Sequence, residues 1–327
     1  MSDMDEDGVL TDAEEEEETQ AKEASGDEKV QVSHLTEETI RQGLSLLCRT
    51  GCGLEHTFIK LVLKDKGLND IAAVSSYNHI RFLDVSNNHL TDLSPLASLT
   101  HLLWLKVDNN AVASFNGQPF AQLPFLQLLS MAGNQLTDID GLAAPSLERL
   151  NLTGNGFQRM NGFQGDCFAN LAILELRGNQ LDTTDGIDLP NLERLYLAQN
   201  VIKRLEGLEK LERLTVLHLR DNQLDSLKGL SAGMKRLQYL NVRGNAIADE
   251  NTLQSLSLVS TTLQALVLSE NPLVESSDYR VSVLTFLPEL EQLDKDPVTP
   301  EERAQICNDD QNGEVSDRLD FPDCAFV

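Results

Sequence analysis

The sequence predicts an α/β solenoid: a horseshoe of about ten stacked repeats of the 22-residue class, with a parallel concave sheet, 3₁₀ turns on the convex side and a cap at each end. Three observations carry that reading. Leucine supplies 57 of the 327 residues while aromatic residues are only 5%, so one aliphatic packing solution is used many times. The pattern L-x-x-L-x-L-x-x-N-x-L can be laid on the chain ten times. Its asparagine position runs Asn88, Asn110, Asn134, Asn155, Asn179, Asn200, Asn222, Asn245, Asn271, in near-equal steps of roughly 23 residues.

Residues 1–33 read as a disordered acidic tail. The first 29 contain 13 acids and two lysines, with too few apolar residues to offset the entropy of ordering the chain. Residues 34–57 read as a capping helix. Thr36 is a good N-cap, Glu37 and Glu38 lie in the first turn where the helix dipole favours anions, and Leu35 and Ile40 are spaced as a hydrophobic staple. Ile40, Leu44, Leu47 and Cys48 then share one helical face, and Gly51 and Gly53 end the helix.

Residues 58–273 form the array, which is identified on this pattern as leucine-rich repeats. In each copy the L-x-L core is a short strand whose alternate leucines point inward. The asparagine turns the chain out of the strand, and its amide bonds backbone groups that a buried turn leaves unpaired. The clearest copy is Leu171, Leu174, Leu176, Asn179, Leu181; the first, Phe58-Leu61-Leu63-Leu68, has Lys66 in the asparagine slot. The return stretches, such as Leu90-Leu93-Leu96-Leu99 and Ile202-Leu205-Leu208-Leu211, are too short for a long helix, hence the expected 3₁₀ turns. Residues 274–307 read as a C-terminal cap with one short helix, opened by the capping box Thr299-Pro300-Glu301-Glu302. Residues 308–327 read as a loose polar tail.

The net charge of -26 argues against a binder that neutralises phosphates and against docking on anionic lipid. No apolar run is long enough to span a bilayer, and the acidic N-terminus does not read as a signal peptide. The five cysteines, Cys48, Cys52, Cys167, Cys307 and Cys324, are scattered without metal-ligand spacing, which suggests a reducing intracellular compartment. No glycine-rich phosphate loop, HExxH pair or nucleophile–base arrangement is evident. His218 falls on the concave face with no serine or cysteine placed beside it by sequence. The expectation is therefore a protein with no catalytic residues, metal, cofactor or small-molecule substrate: a non-enzymatic scaffold for protein partners.

The concave surface can be read from the third, fifth and seventh repeat positions. Phe82, Trp104 and Leu128 occupy one column in three consecutive repeats, an apolar ledge of the kind that anchors a partner unless a terminal segment of the chain covers it. Arg177, Arg220 and Arg243 share the seventh-position column, with Arg149 and Arg194 nearby. They suit carboxylates of a partner, or pair within the chain to Glu175, Asp221 or Glu193. Tyr196, His218 and Tyr239 complete the candidate partner-binding set.

Residues at variable positions go further. Leu35-Thr36-Glu37-Glu38, Gly43-Leu-Ser-Leu-Leu-Cys48, Asn88-His-Leu-Thr-Asp-Leu-Ser-Pro-Leu96, Leu99-Thr-His-Leu-Leu-Trp-Leu105, Leu195-Tyr-Leu-Ala-Gln-Asn200 and Leu217-His-Leu-Arg-Asp-Asn222 resemble the leucine-rich repeat proteins of the axonemal radial spoke. The resemblance spans roughly residues 35 to 305. It implies a structural component of the radial-spoke head in motile cilia and sperm flagella, supporting spoke assembly and motility. It also implies radial-spoke head proteins as partners and an address in the cytoplasm, cytoskeleton and axoneme. In that family a longer charged extension follows the cap, whereas this sequence stops at Val327. The repeat class also resembles regulatory subunits of protein phosphatases, and an acidic tail beside leucine-rich repeats occurs in nuclear chaperones. Those are the alternative functions.

Overall fold

The computed structural model describes residues 33–304 apart from Thr50, Cys52, Leu54 and Ser277. Residues 1–32 and 308–327 of the expected tails, the end of the cap, and Cys52, Cys307 and Cys324 lie outside the described residues. Ser33, expected in the disordered tail, instead begins a short strand with His34 that pairs with Leu68–Asp70. Among the described residues one sheet of thirteen strands runs the length of the array. Its strands are β1 (Leu44–Arg49), β2 (His56–Val62), β3 (Phe82–Asp84), β4 (Trp104–Lys106), β5 (Leu128–Ser130), β6 (Arg149–Asn151), β7 (Ile173–Glu175), β8 (Arg194–Tyr196), β9 (Val216–His218), β10 (Tyr239–Asn241), β11 (Ala265–Val267), β12 (Gln292–Leu293) and β13 (Asp296–Pro297). Strands β2 to β12 pair in parallel, each repeat directly beside the next.

The sheet holds one parallel strand more than the ten copies of the pattern. The cap supplies an eleventh, because Leu290-x-x-Leu293 keeps the repeat's leucine spacing and Leu293 pairs in register with Leu266. An antiparallel strand closes each end, β1 on β2 and β13 on β12. A terminal parallel strand would otherwise present a row of unpaired amides and carbonyls.

The same closure corrects the capping helix. The helix α1 runs only Glu37–Gly43. Its N-terminus is as expected: Thr39 N donates to Thr36 Oγ1 at 3.2 Å, and Ile40 is buried. At Gly43 a Cβ would collide with the backbone of Val62, and the chain then leaves the helix to pair with β2. Leu44, Leu47 and Cys48 therefore lie on a strand, with Leu47 and Cys48 exposed.

The core is one continuous leucine ladder that includes Leu61, Leu83, Leu105, Leu129, Leu150, Leu174, Leu195, Leu217, Leu240 and Leu266. Six return stretches form 3₁₀ turns, at Ala72–Ser76, Ser94–Ser98, Pro119–Gln122, Leu208–Lys210, Glu250–Val259 and Pro272–Glu275. Leu90, Leu93, Leu96 and Leu99 are fully buried along one of them. Between Gln122 and Leu208, however, no 3₁₀ turn forms, and two return stretches pair instead as short parallel strands, Phe163–Gln164 with Ile187–Asp188.

All nine asparagines of the repeat pattern are buried, and each joins two repeats. Asn88 Nδ2 donates to Val85 O and Ser86 O in its own turn and to Leu63 O in the preceding one, while its Oδ1 accepts from Lys66 N and Leu68 N. Thus Lys66 needs no asparagine of its own: the next repeat satisfies its backbone. At the far end Asp294, the residue after Leu293, caps backbone amides that follow the preceding strand. A carboxylate, which only accepts, suits amide donors. Asp294 Oδ1 accepts from Leu268 N and Ser269 N, and Oδ2 accepts from the Tyr279 hydroxyl at 2.8 Å. Tyr279 and Arg280 open the cap helix α2 (Tyr279–Phe286). Arg280 pairs with Glu302 at 2.8 Å, and Glu302 and Thr299 exchange the two hydrogen bonds of the expected capping box.

Candidate functional site

Within every central strand the middle leucine is buried and its two neighbours face the other way. Those neighbours, with the residues that follow each strand, carry three groups: one early in the array and two that overlap towards its C-terminal end.

The first is the ledge. Phe82 and Trp104 are register partners on β3 and β4, and Trp104 and Leu128 on β4 and β5. The Phe82 and Trp104 rings meet edge to face, centroids 5.0 Å apart at 81°. Phe82 and Leu128 are half-buried, whereas Trp104 stays 47% exposed, so a large apolar surface is left to solvent. Beside it, on the approach to β4 and β5, the rings of His101 and Phe125 stack at 5.9 Å and 12°, with Phe125 exposed. Sequence reasoning missed this pair. The available signal was the shared offset, three residues before Trp104 and Leu128.

The second group is a stack on β8 to β10. His218 lies between Tyr196 and Tyr239, each pair of centroids 4.9 Å apart, tilted by 24° and 30°. Tyr196 is His218's register partner, and Tyr239 is reached diagonally, since His218 pairs with Asn241. Asn241 Nδ2 donates to the Tyr239 hydroxyl oxygen at 3.3 Å. Burial lowers the His218 pKa from 6.5 to about 4, so the imidazole is neutral at physiological pH.

This sets a pH dependence. The folded pKa lies below the unfolded one, so the unfolded chain takes up the proton first as pH falls. The contribution is complete above about pH 6.5 and is lost as the pH falls towards about 4. His218→Phe keeps the stack without the titration. Between pH 7 and pH 4 the wild type should lose about 2 kcal/mol more stability than the variant, measured by urea unfolding at each pH.

The third group is the arginine column. Arg177 Nε donates to Gln199 Oε1 at 3.1 Å, Arg220 pairs with Asp221 at 3.1 Å, and Arg243 pairs with Glu270. The Asp221 pairing was one of the sequence alternatives; Glu270 was not. The hydrogen bond from Arg243 holds the Glu270 carboxyl below its usual range, and the Arg220 charge adds to this. Glu175 on β7 is shifted up by burial, against the pull of Arg149 and with a further push from Asp108. Asp108 is itself engaged: its Oδ1 accepts from Ser130 Oγ at 2.5 Å and Ala132 N at 2.9 Å.

Among the described residues no three His, Cys, Asp or Glu side chains gather to hold a metal ion, and no helix is long and apolar enough to cross a membrane. The arrangement offers a surface: an apolar anchor, an aromatic stack and a row of arginines on one sheet face.

Comparison with known proteins follows the same lines. Residues 169–314 match the family model described as leucine-rich repeat, and residues 79–102 match a second model of that description. The chain is 48% identical over 271 residues to leucine-rich repeat-containing protein 23 of Homo sapiens, covering 83% of this chain and 78% of the human protein. The Xenopus tropicalis protein of the same name is 46% identical over 271 residues, covering 77% of its own length. Among solved structures, the functional domain of InlJ from Listeria monocytogenes matches with a TM-score of 0.52 at 20% identity, covering 75% of this chain and 56% of that one. That likeness is one of fold.

Proposed function

Because the chain belongs to the leucine-rich repeat-containing protein 23 family, we propose that it is a non-enzymatic protein-interaction scaffold of the radial-spoke head in motile cilia and sperm flagella. Identity of 46–48% over 83% of the chain supports the family's role, and the variable-position residues quoted above imply the axonemal address. The observation that carries the binding role is the half-exposed Trp104 in a column with Phe82 and Leu128. Large apolar side chains clustered on a rigid sheet are the usual anchors of an interface.

Trp104→Ala should leave the fold intact, because the side chain lies on the outer face of β4, and should weaken a partner by at least 2 kcal/mol, about thirtyfold. Circular dichroism checks the first point and titration against the partner recovered from axonemes checks the second. The address is tested by the location of a tagged chain in ciliated cells. An axonemal signal retained through detergent extraction is expected. A cytosolic signal co-purifying with a phosphatase, or a nuclear one, would replace this reading with the corresponding alternative.

A further inference from the structure

The concave face differs in charge from the rest of the chain. Across the third, fifth and seventh positions of the ten repeats there are eight basic residues and three acidic ones, in a protein of net charge -26. The excess lies towards the C-terminal end. From β6 to β10 the face carries Arg149, Arg177, Arg194, Arg220 and Arg243 against the single acid Glu175. Asp221 and Glu270, which pair with Arg220 and Arg243, lie at turns beyond the strands and offset only part of that charge.

The ring geometry agrees. His218 has a tyrosine stacked on each of its faces, and Tyr196 and Tyr239 each give one face to it. Ring edges are the positive part of the quadrupole, and hydroxyls donate hydrogen bonds. Both favour carboxylates, as guanidinium forks do. The pairs to Asp221 and Glu270 fix where two of these guanidinium groups lie.

We infer that the occupant of this face is an acidic polypeptide segment, anchored by an apolar side chain on the Phe82–Trp104–Leu128 ledge, with its carboxylates over the arginines of β7 to β10. The inference rests on the scaffold reading and adds the partner's chemistry and polarity. Five strand spacings separate the ledge at β4 from β9, about 24 Å. That separates anchor and carboxylates in the partner by about sixteen residues of helix or about seven of extended chain.

The test places the photo-cross-linker p-benzoylphenylalanine at Trp104, at Tyr239, or at exposed Glu209 in a 3₁₀ turn, each in the full chain expressed in ciliated cells. Cross-linked peptides are then sequenced by mass spectrometry. The expected result is that Trp104 and Tyr239 link to one partner segment, acidic around the Tyr239 link. A synthetic peptide of that segment should bind the purified chain at least about tenfold more weakly after Arg177→Gln, Arg220→Gln and Arg243→Gln together. The inference is overturned, with the scaffold reading intact, if Trp104 links a partner while Tyr239 links a neutral or basic segment, nucleic acid or the chain itself, or if the triple variant binds the peptide as tightly. If neither concave position links anything, the concave reading falls, and this inference with it.

Discussion

Asn179→Ala should lower the unfolding free energy by about 3–5 kcal/mol, although it removes only a small amide. The side chain donates to Leu152 O at 3.0 Å, Leu176 O at 3.0 Å and Arg177 O at 3.3 Å, and accepts from Phe157 N at 3.1 Å. Leu152, Leu176 and Phe157 are fully buried, so water does not reach the groups that lose a partner. Each buried group left unpaired costs about 1–3 kcal/mol. Because the bonds join its own turn to the preceding one, the loss also weakens the interface between those repeats. Asn179→Asp is the sharper variant. It keeps the acceptor and the shape but sets a carboxylate against three carbonyl oxygens, and should cost at least as much as alanine. A urea midpoint shifted by less than the equivalent of about 1 kcal/mol in both variants would show that the asparagines do not carry the turns.

Gly229→Ala should be comparably damaging for a different reason. The residue has φ 111°, a conformation that side chains rarely adopt. An added Cβ would fall inside the radius of the Leu205 carbonyl oxygen, with Leu205 C at 2.7 Å and Leu205 Cβ at 2.8 Å. Backbone rather than a flexible side chain meets it, so the neighbouring repeat has to move. Strain and displaced packing together should cost about 3–5 kcal/mol. Gly51→Ala is the control, since no atom lies within 4 Å of its added Cβ. Equal melting temperatures for the two variants would contradict the close stacking of repeats at Leu205.

What was legible in the sequence was whatever repeats locally. The leucine spacing located the strands, the asparagines located the turns, and Thr299 with Glu302 marked a helix start that the structure forms. The ends of the array were less legible. Leu44 to Arg49 is a short apolar run that suits helix or strand equally, and pairing with β2 decides it. Leu293 reads as cap from its flanking residues, yet it continues the ladder. At the candidate site the columns could be placed, because strand alternation dictates which residues share a face. Their mutual contacts could not. The diagonal approach of His218 to Tyr239 and the reach of Arg243 to Glu270 depend on rotamers and on pairs separated by one or more whole repeats. No local pattern encodes them.

The central claim is that the concave face binds protein partners, and its most direct test is quantitative recovery of partners from ciliated-cell extract. Three folded forms are compared: wild type, Trp104→Ala, and Arg177→Ala with Arg220→Ala and Arg243→Ala. Both variants should lose the same subset of partners, with Trp104→Ala the more severe and the arginine variant more sensitive to salt. Full recovery of the wild-type set by both folded variants would contradict the claim and move the binding surface off the concave face.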